Sequence, residues 1–193
     1  MAPLEITDLD ALKALAHPRR QRILQHLGLH GPATSATLAR ALGLNTGATS
    51  YHLRELAKFG FVEESAGRGH GRERWWQAPM RDLRIPPRTR QSEEMRAVLD
   101  EMVRLEIADD LAELLRFQER RDDLGAWSDA LPHSRGSIRV TLDELREFFE
   151  EYIRLLNRYK RPDDETPPGA RTMLTRFFAF PAMTEDDEQE GVD

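Results

Sequence analysis

The stretch ATLARALGLNTGATSYHLRELAKFG, residues 36–60, constrains the fold of this chain more than any other. It contains two short apolar-periodic segments separated by about three residues, with glycines at 43 and 60 where each segment must end. Two helices joined so tightly cannot run on as one rod, so they must cross and share a core. Thr34 or Ser35 is placed to cap the first segment, with Leu38, Ala39 and Leu42 turned inward, and Asn45 or Thr46 is placed to cap the second. Gly60 then occupies the position after a helix C-terminus, where a left-handed backbone is commonly needed.

Upstream, Leu9, Leu12 and Leu15 mark a short first helix that ends at AHPRR. Pro18 stands at the first turn of a second helix whose apolar residues are Ile23, Leu24 and Leu27. Downstream, FVEES and RERWWQA read as two strands around a glycine-rich loop, with Trp75 and Trp76 on opposite faces, so that one of them joins the core. Pro79, Pro86 and Pro87 then mark a boundary over 78–91. Past it, Ser92 caps a long helix toward Arg120, and Thr141 with Glu144 forms a capping box for a strongly amphipathic helix over 141–160. SIRV (137–140) and RTMLTRFFAF (171–180) read as short strands, and TEDDEQEGVD (184–193) as an acidic tail unable to fold alone.

The expected fold is therefore mainly α with a small β hairpin. Residues 1–80 form a winged helix-turn-helix domain, 81–91 a linker, 92–183 an α-helical C-terminal dimerisation region with one or two short strands and a core of its own, and 184–193 a disordered tail.

Charge divides along the same line. The chain carries −6 overall, but residues 1–81 hold 11 Lys+Arg against 7 Asp+Glu, and the remainder is acidic. The front could rest on a polyanion and the back would be repelled by one. There is no cysteine, which removes disulfides, thiolate metal sites and a cysteine nucleophile. No P-loop, dinucleotide fingerprint or nucleophile elbow occurs, so the expectation is not an enzyme, with no cofactor. The start, MAPLEITDLDALKAL, lacks a basic end and long apolar core, and no run is long enough to span a bilayer, so a cytoplasmic protein without a membrane partner is expected.

The helix over 46–59 has two unlike faces. Thr49, Leu53, Leu56 and Gly60 share the packing side, whereas Thr46, Gly47, Ser50, Tyr51 and Arg54 share another that offers hydroxyls, bare backbone, a phenol and a guanidinium. Small residues let a helix approach a major groove closely, hydroxyls can meet base edges or phosphates, and an arginine can take guanine or phosphate. The plainer alternative is a solvated, well-capped face. The loop AGRGHGRERWW adds Arg68, His70, Arg72 and Arg74, cations on a compliant tip that could reach a phosphate or minor groove. Again an ordinary charged hairpin is the alternative.

Together HPRRQRIL, ATLARALGLNTGATSYHLRELAKFGFVEE and AGRGHGRERWW resemble the winged helix-turn-helix domain of ArsR-type bacterial transcriptional regulators, over residues 9–78. Residues 92–180 resemble, more weakly, the helical extension of actinobacterial members. The resemblance implies a recognition helix at 46–59, a wing at 65–74, double-stranded DNA as partner and a homodimer on inverted repeats. Metal-sensing members use a cysteine pair or carboxylate and histidine ligands on a C-terminal helix, and this chain departs from both. Of six histidines only His26 and His30 have i, i+4 spacing, and these read as helix-end polar residues. His52 reads as a hydrogen-bonded interior group, and metal sensing is not supported.

The aromatic set Trp127, Phe148, Phe149, Tyr152, Phe177, Phe178 and Phe180 could line a pocket for an unidentified small-molecule effector, with ordinary core as the alternative. A winged-helix module that binds protein rather than DNA is the competing function.

Overall fold

The computed structural model describes residues 4–65, 73–79, 81–161 and 165–183. Helix α1 spans Leu9–Ala16 and is capped by Asp8, whose carboxylate accepts from the Asp10 amide. Helix α2, Pro18–His30, begins with proline at its first position, where a missing N–H costs nothing, and the His17 ring caps it by accepting from the Arg19 amide. Helix α3, Ser35–Leu42, is capped by Thr34, and helix α4, Thr46–Lys58, by Asn45. Gly43 closes α3 in the left-handed conformation at φ 66°, which allows the Leu44 amide to bond back to the Ala39 carbonyl. That left-handed residue turns the chain sharply enough for α4 to begin three residues after α3 ends.

Strands β1 (Leu4–Glu5) and β5 (Leu83–Arg84) form a parallel pair. Strands β2 (Ala33–Thr34), β3 (Glu63–Glu64) and β4 (Trp75–Gln77) form an antiparallel sheet ordered β2–β4–β3, with Ala33 opposite Trp76 and Glu63 opposite Gln77. The expected hairpin is thus β3–β4, and β2 and the β1–β5 pair are additions that the sequence did not announce. Trp76 is the buried tryptophan of the pair, and Trp75 is half-buried.

One apolar cluster joins these elements. Leu12, Ile23, Leu38, Leu53 and Leu56 are fully enclosed, with Ile6, Val62 and Trp76 contributed by the residue after β1, the segment after α4, and β4. Helix α5, Glu93–Arg120, is a single 28-residue helix capped by Ser92 and acidic in its first turn, and it belongs to this cluster too. Its Met95, Leu99 and Met102 are buried in the same core, and α5 packs along α1. The Lys13–Glu94 pair lies at the surface of that junction and Arg88–Asp100 ties the preceding segment to α5, and exposed pairs like these add little to stability.

The expectation that residues 92–180 build a core of their own is therefore not met within the chain. The buried residues of that stretch, among those described, are these three on α5, and they complete the core of the first half. The reason is spacing: the three fall on one face of the first turns of α5, directly beyond the short proline-rich segment, so they reach back to α1.

Beyond α5 a 3-10 segment, Arg121–Asp129, is bent at Gly125 (φ 58°) and held by two bonds from the Arg121 guanidinium to the Ser128 carbonyl. Helix α6, Leu142–Asn157, starts at the expected capping box, in which the Thr141 amide and hydroxyl donate to Glu144 and the Glu144 amide donates back to Thr141. Arg84 on β5 makes a bidentate pair with Glu150 on α6. Neither SIRV nor RTMLTRFFAF forms a strand: both are irregular. The expected tail, 184–193, lies outside the described residues. The chain divides into compact units Met1–Ile153 and Arg154–Asp193.

Because α5 completes the first-half core, Leu99→Ala should destabilise the whole helix-turn-helix region by about 2–5 kcal/mol. Urea unfolding followed through Trp76 fluorescence would show this as a lowered midpoint. An unchanged midpoint would mean that α5 is only appended.

Candidate nucleic-acid interface

Helix α4 is held by its back. Thr49, His52, Leu53 and Leu56 are buried against α1, α2 and α3, and the Thr49 hydroxyl, lacking water, donates to the Asn45 carbonyl at 3.0 Å. The Asn45 side chain accepts from the Ala48 amide at 2.7 Å. The N-terminus of α4 is thereby fixed without using any group from its other side.

On that other side Thr46, Gly47, Tyr51 and Arg54 are exposed and Ser50 is half-buried. Tyr51 is 52% exposed, a large value for an aromatic residue next to a fully packed face. A Cβ at Gly47 would lie 3.4 Å from Asn45 Oδ1, which is tight but not forbidding, so what glycine contributes is uncovered backbone. Between α4, the start of α3 and β4 runs an open groove of about 470 Å³, lined by Thr34, Ser35, Thr46, Ser50, Arg54 and Arg74 among others. Arg74 pairs with Glu64 at 3.3 Å across an exposed strand edge, which leaves its charge near the groove. Arg74 belongs to the cations that the sequence places on the hairpin, whereas the start of α3 was not read as part of this surface. The pairing of β2 with β4 brings them there, and two-residue strands leave almost no pattern to read.

Arg68, His70 and Arg72, expected on the hairpin tip, lie outside the described residues.

Behind Tyr51 sits a histidine pair. The rings of His17 and His52 are 4.9 Å apart, and Tyr51 approaches His52 edge-on at 5.5 Å. His52 is buried as expected, but its Nδ1 is enclosed with no hydrogen-bond partner, so the expected satisfied interior role does not hold at that atom. Burial lowers the pKa of His52 first, and the nearby His17, Arg20 and Arg19 lower it further against a small opposing effect of Glu55. His17 is likewise lowered by burial, Arg20 and Arg19, with its own backbone working in the opposite sense. Elsewhere the rings of His26 and His30 meet at a tilt, 4.5 Å apart, toward the end of α2. Among the described residues no group of three or more His, Asp or Glu is placed to hold a metal, and no helix is long and apolar enough to cross a membrane. None of the seven aromatic residues proposed to line an effector pocket is buried.

Comparison with known protein families finds a match over residues 15–65 to a family described as a helix-turn-helix domain. The matched span runs from the end of α1 through α4 to β3. Comparison with curated proteins finds no match. Among solved structures, the chain is similar to reduced HlyU from Vibrio cholerae, at 27% identity over 50% of this chain and 85% of that one, with a TM-score of 0.32. It is similar to a possible transcriptional regulator for arsenical resistance at 31% identity, over 53% and 97%, with a TM-score of 0.33. A possible transcriptional regulatory protein (fragment 1-100) from Mycobacterium bovis gives 24% identity over 52% and 88%, also at 0.33.

The histidine pair gives a signed expectation. Both groups have native pKa values below the ordinary 6.5, so the unfolded chain takes up protons first as pH falls. Stability should be complete above about pH 6.5 and decline below it, down to the lowered native values. Melting temperatures at pH 7.5 and 5.0 should differ less in His52→Gln than in the parent. An equal difference would show that the pair does not titrate on unfolding.

Proposed function

We propose that this protein is a dimeric, sequence-specific DNA-binding transcriptional regulator of the ArsR-like kind, with α4 entering the major groove and the 65–74 wing on the backbone or minor groove. The observation that carries this reading is the two-sidedness of α4 within a matched helix-turn-helix domain: its back is sealed in the core, while Thr46, Gly47, Tyr51 and Arg54 stand open. Arg54, with Arg68, His70 and Arg72 of the wing, supplies cations whose approach to phosphates releases counterions. Ser50 and Tyr51 offer groups able to discriminate base edges.

An exposed apolar stripe on α5 supports the dimer. Past Met102 its Val103, Ile107, Leu111, Leu114 and Leu115 are all exposed. At about 100° per residue these five lie within roughly a third of a turn of one another, and about a third of a turn away from the face that Met95, Leu99 and Met102 bury. A stripe of leucine and isoleucine over about three turns in water is costly, and a second copy crossing at the same stripe would cover it symmetrically. Two α4 helices would then be presented to a two-fold site, as half-site recognition requires.

Binding to genomic fragments in gel retardation at low salt tests the reading. Ser50→Ala and Tyr51→Ala should weaken the selected operator more than random DNA. Arg68→Ala should weaken both alike and reduce the salt slope by about 1. Arg54→Ala should cost about 1–3 kcal/mol. Absence of any retarded fragment would favour the same surfaces serving as a protein-interaction module. Leu111→Glu should shift the sedimenting species from dimer to monomer, and an unchanged dimer would place the interface elsewhere.

A further inference from the structure

A second cavity lies apart from the groove described above, on the side where α4 ends. Its volume is about 170 Å³, and Leu4, Leu24, Phe61, Ala78, Pro79 and Leu83 give it an apolar lining, together with Gly60 and Arg81. It is drawn from β1, α2, the residues just after the α4 C-terminus, the chain leaving β4, and β5.

The polar group at its wall is incompletely satisfied. Arg81 Nε is enclosed and has no hydrogen-bond partner. The guanidinium reaches Glu63 only at 3.8 Å, too long for a direct bond. Glu63 does not depend on it, because the Gln77 amide donates to Glu63 at 3.0 Å. A guanidinium beside an apolar hollow with a spare, enclosed N–H is a donor without an acceptor, and leaving such a donor unsatisfied is unfavourable.

Size and chemistry together select a ligand. Apolar cavities of about 150 Å³ hold a benzene ring, whereas drug-sized sites begin near 300 Å³. A carboxylate accepts from the Nε and Nη of one arginine side by side, the geometry in which arginine binds anions best. We propose that this cavity is a binding site for a small monocarboxylic acid with a compact apolar body, of the size of benzoate, its carboxylate on Arg81 and its ring against Leu24, Phe61 and Leu83. Gly60 and Phe61 come just past Phe59, the C-cap of α4, and Ala78 and Pro79 directly follow β4, so the ligand would touch both the chain leaving the outward-facing helix and the chain leaving the hairpin. The site does not depend on the DNA reading, since it shares no lining residue with the groove beside α4.

Isothermal titration of the full chain with benzoate tests this, with benzamide as the uncharged match in shape. Saturable one-site binding of benzoate, with benzamide at least tenfold weaker, is the expected result. Arg81→Met should weaken benzoate at least tenfold while leaving benzamide unchanged, and Arg81→Lys should recover part of the loss. Leu24→Phe, which fills the hollow and keeps the arginine, should abolish binding of both. Melting curves of each variant in the absence of ligand establish that it folds. Non-saturating heats with benzoate, or equal affinity in the parent and Arg81→Met, would overturn the proposal.

Discussion

The structure depends on one shared apolar core. Leucines and isoleucines from α1 to α4 enclose one another completely, and both the β hairpin and the root of α5 are added to the same cluster through Trp76, Met95, Leu99 and Met102. Apart from α5, each element alone is too short to hold its shape in water. α3 has only 8 residues and the strands only two or three, lengths at which an isolated element is unstable. Burial against common neighbours makes them cooperative, and it also fixes the azimuth of α4. With Leu53 and Leu56 enclosed, the helix cannot rotate without exposing them, so Tyr51 and Arg54 keep their outward direction.

That arrangement was largely legible in the sequence where the signals are local. The caps at Thr34, Asn45, Ser92 and Thr141, the left-handed Gly43 and the packing stripe of α4 each follow from chemistry within four or five residues, and the helices stand where those signals put them. What was not legible depends on partners distant in sequence. Strands of two residues such as β1 and β5 show no alternation, and only pairing across the chain makes them strands. The two expected strands at 137–140 and 171–180 erred in the other direction, because β-branched and aromatic residues favour a ladder only when another edge is available. His52 shows the same limit in the site. Its burial follows from the helical period, but the loss of a partner at Nδ1 depends on where His17 and Arg20 arrive from α2.

The acidic half meets the basic half mainly through α5. The helix begins with Glu93 and Glu94, which suit the positive end of its dipole, and its surface bonds to α1 and α2 run through Lys13–Glu94 and Gln21–Glu106. These contacts are exposed and individually weak, so register between α5 and the first half is set by the buried methionines and leucine. A flexible thioether at two of the three positions lets that joint fit without demanding one shape.

The uninterrupted length of α5 has a mechanical consequence. At about 1.5 Å per residue its 28 residues form a rod of roughly 42 Å whose base is clamped in the core and whose far end is not. A tilt of about 5° at the base would sweep the tip by nearly 4 Å. Small repacking around Leu99 is therefore magnified at the far end, and a load applied at the tip bears on that one residue with the same leverage.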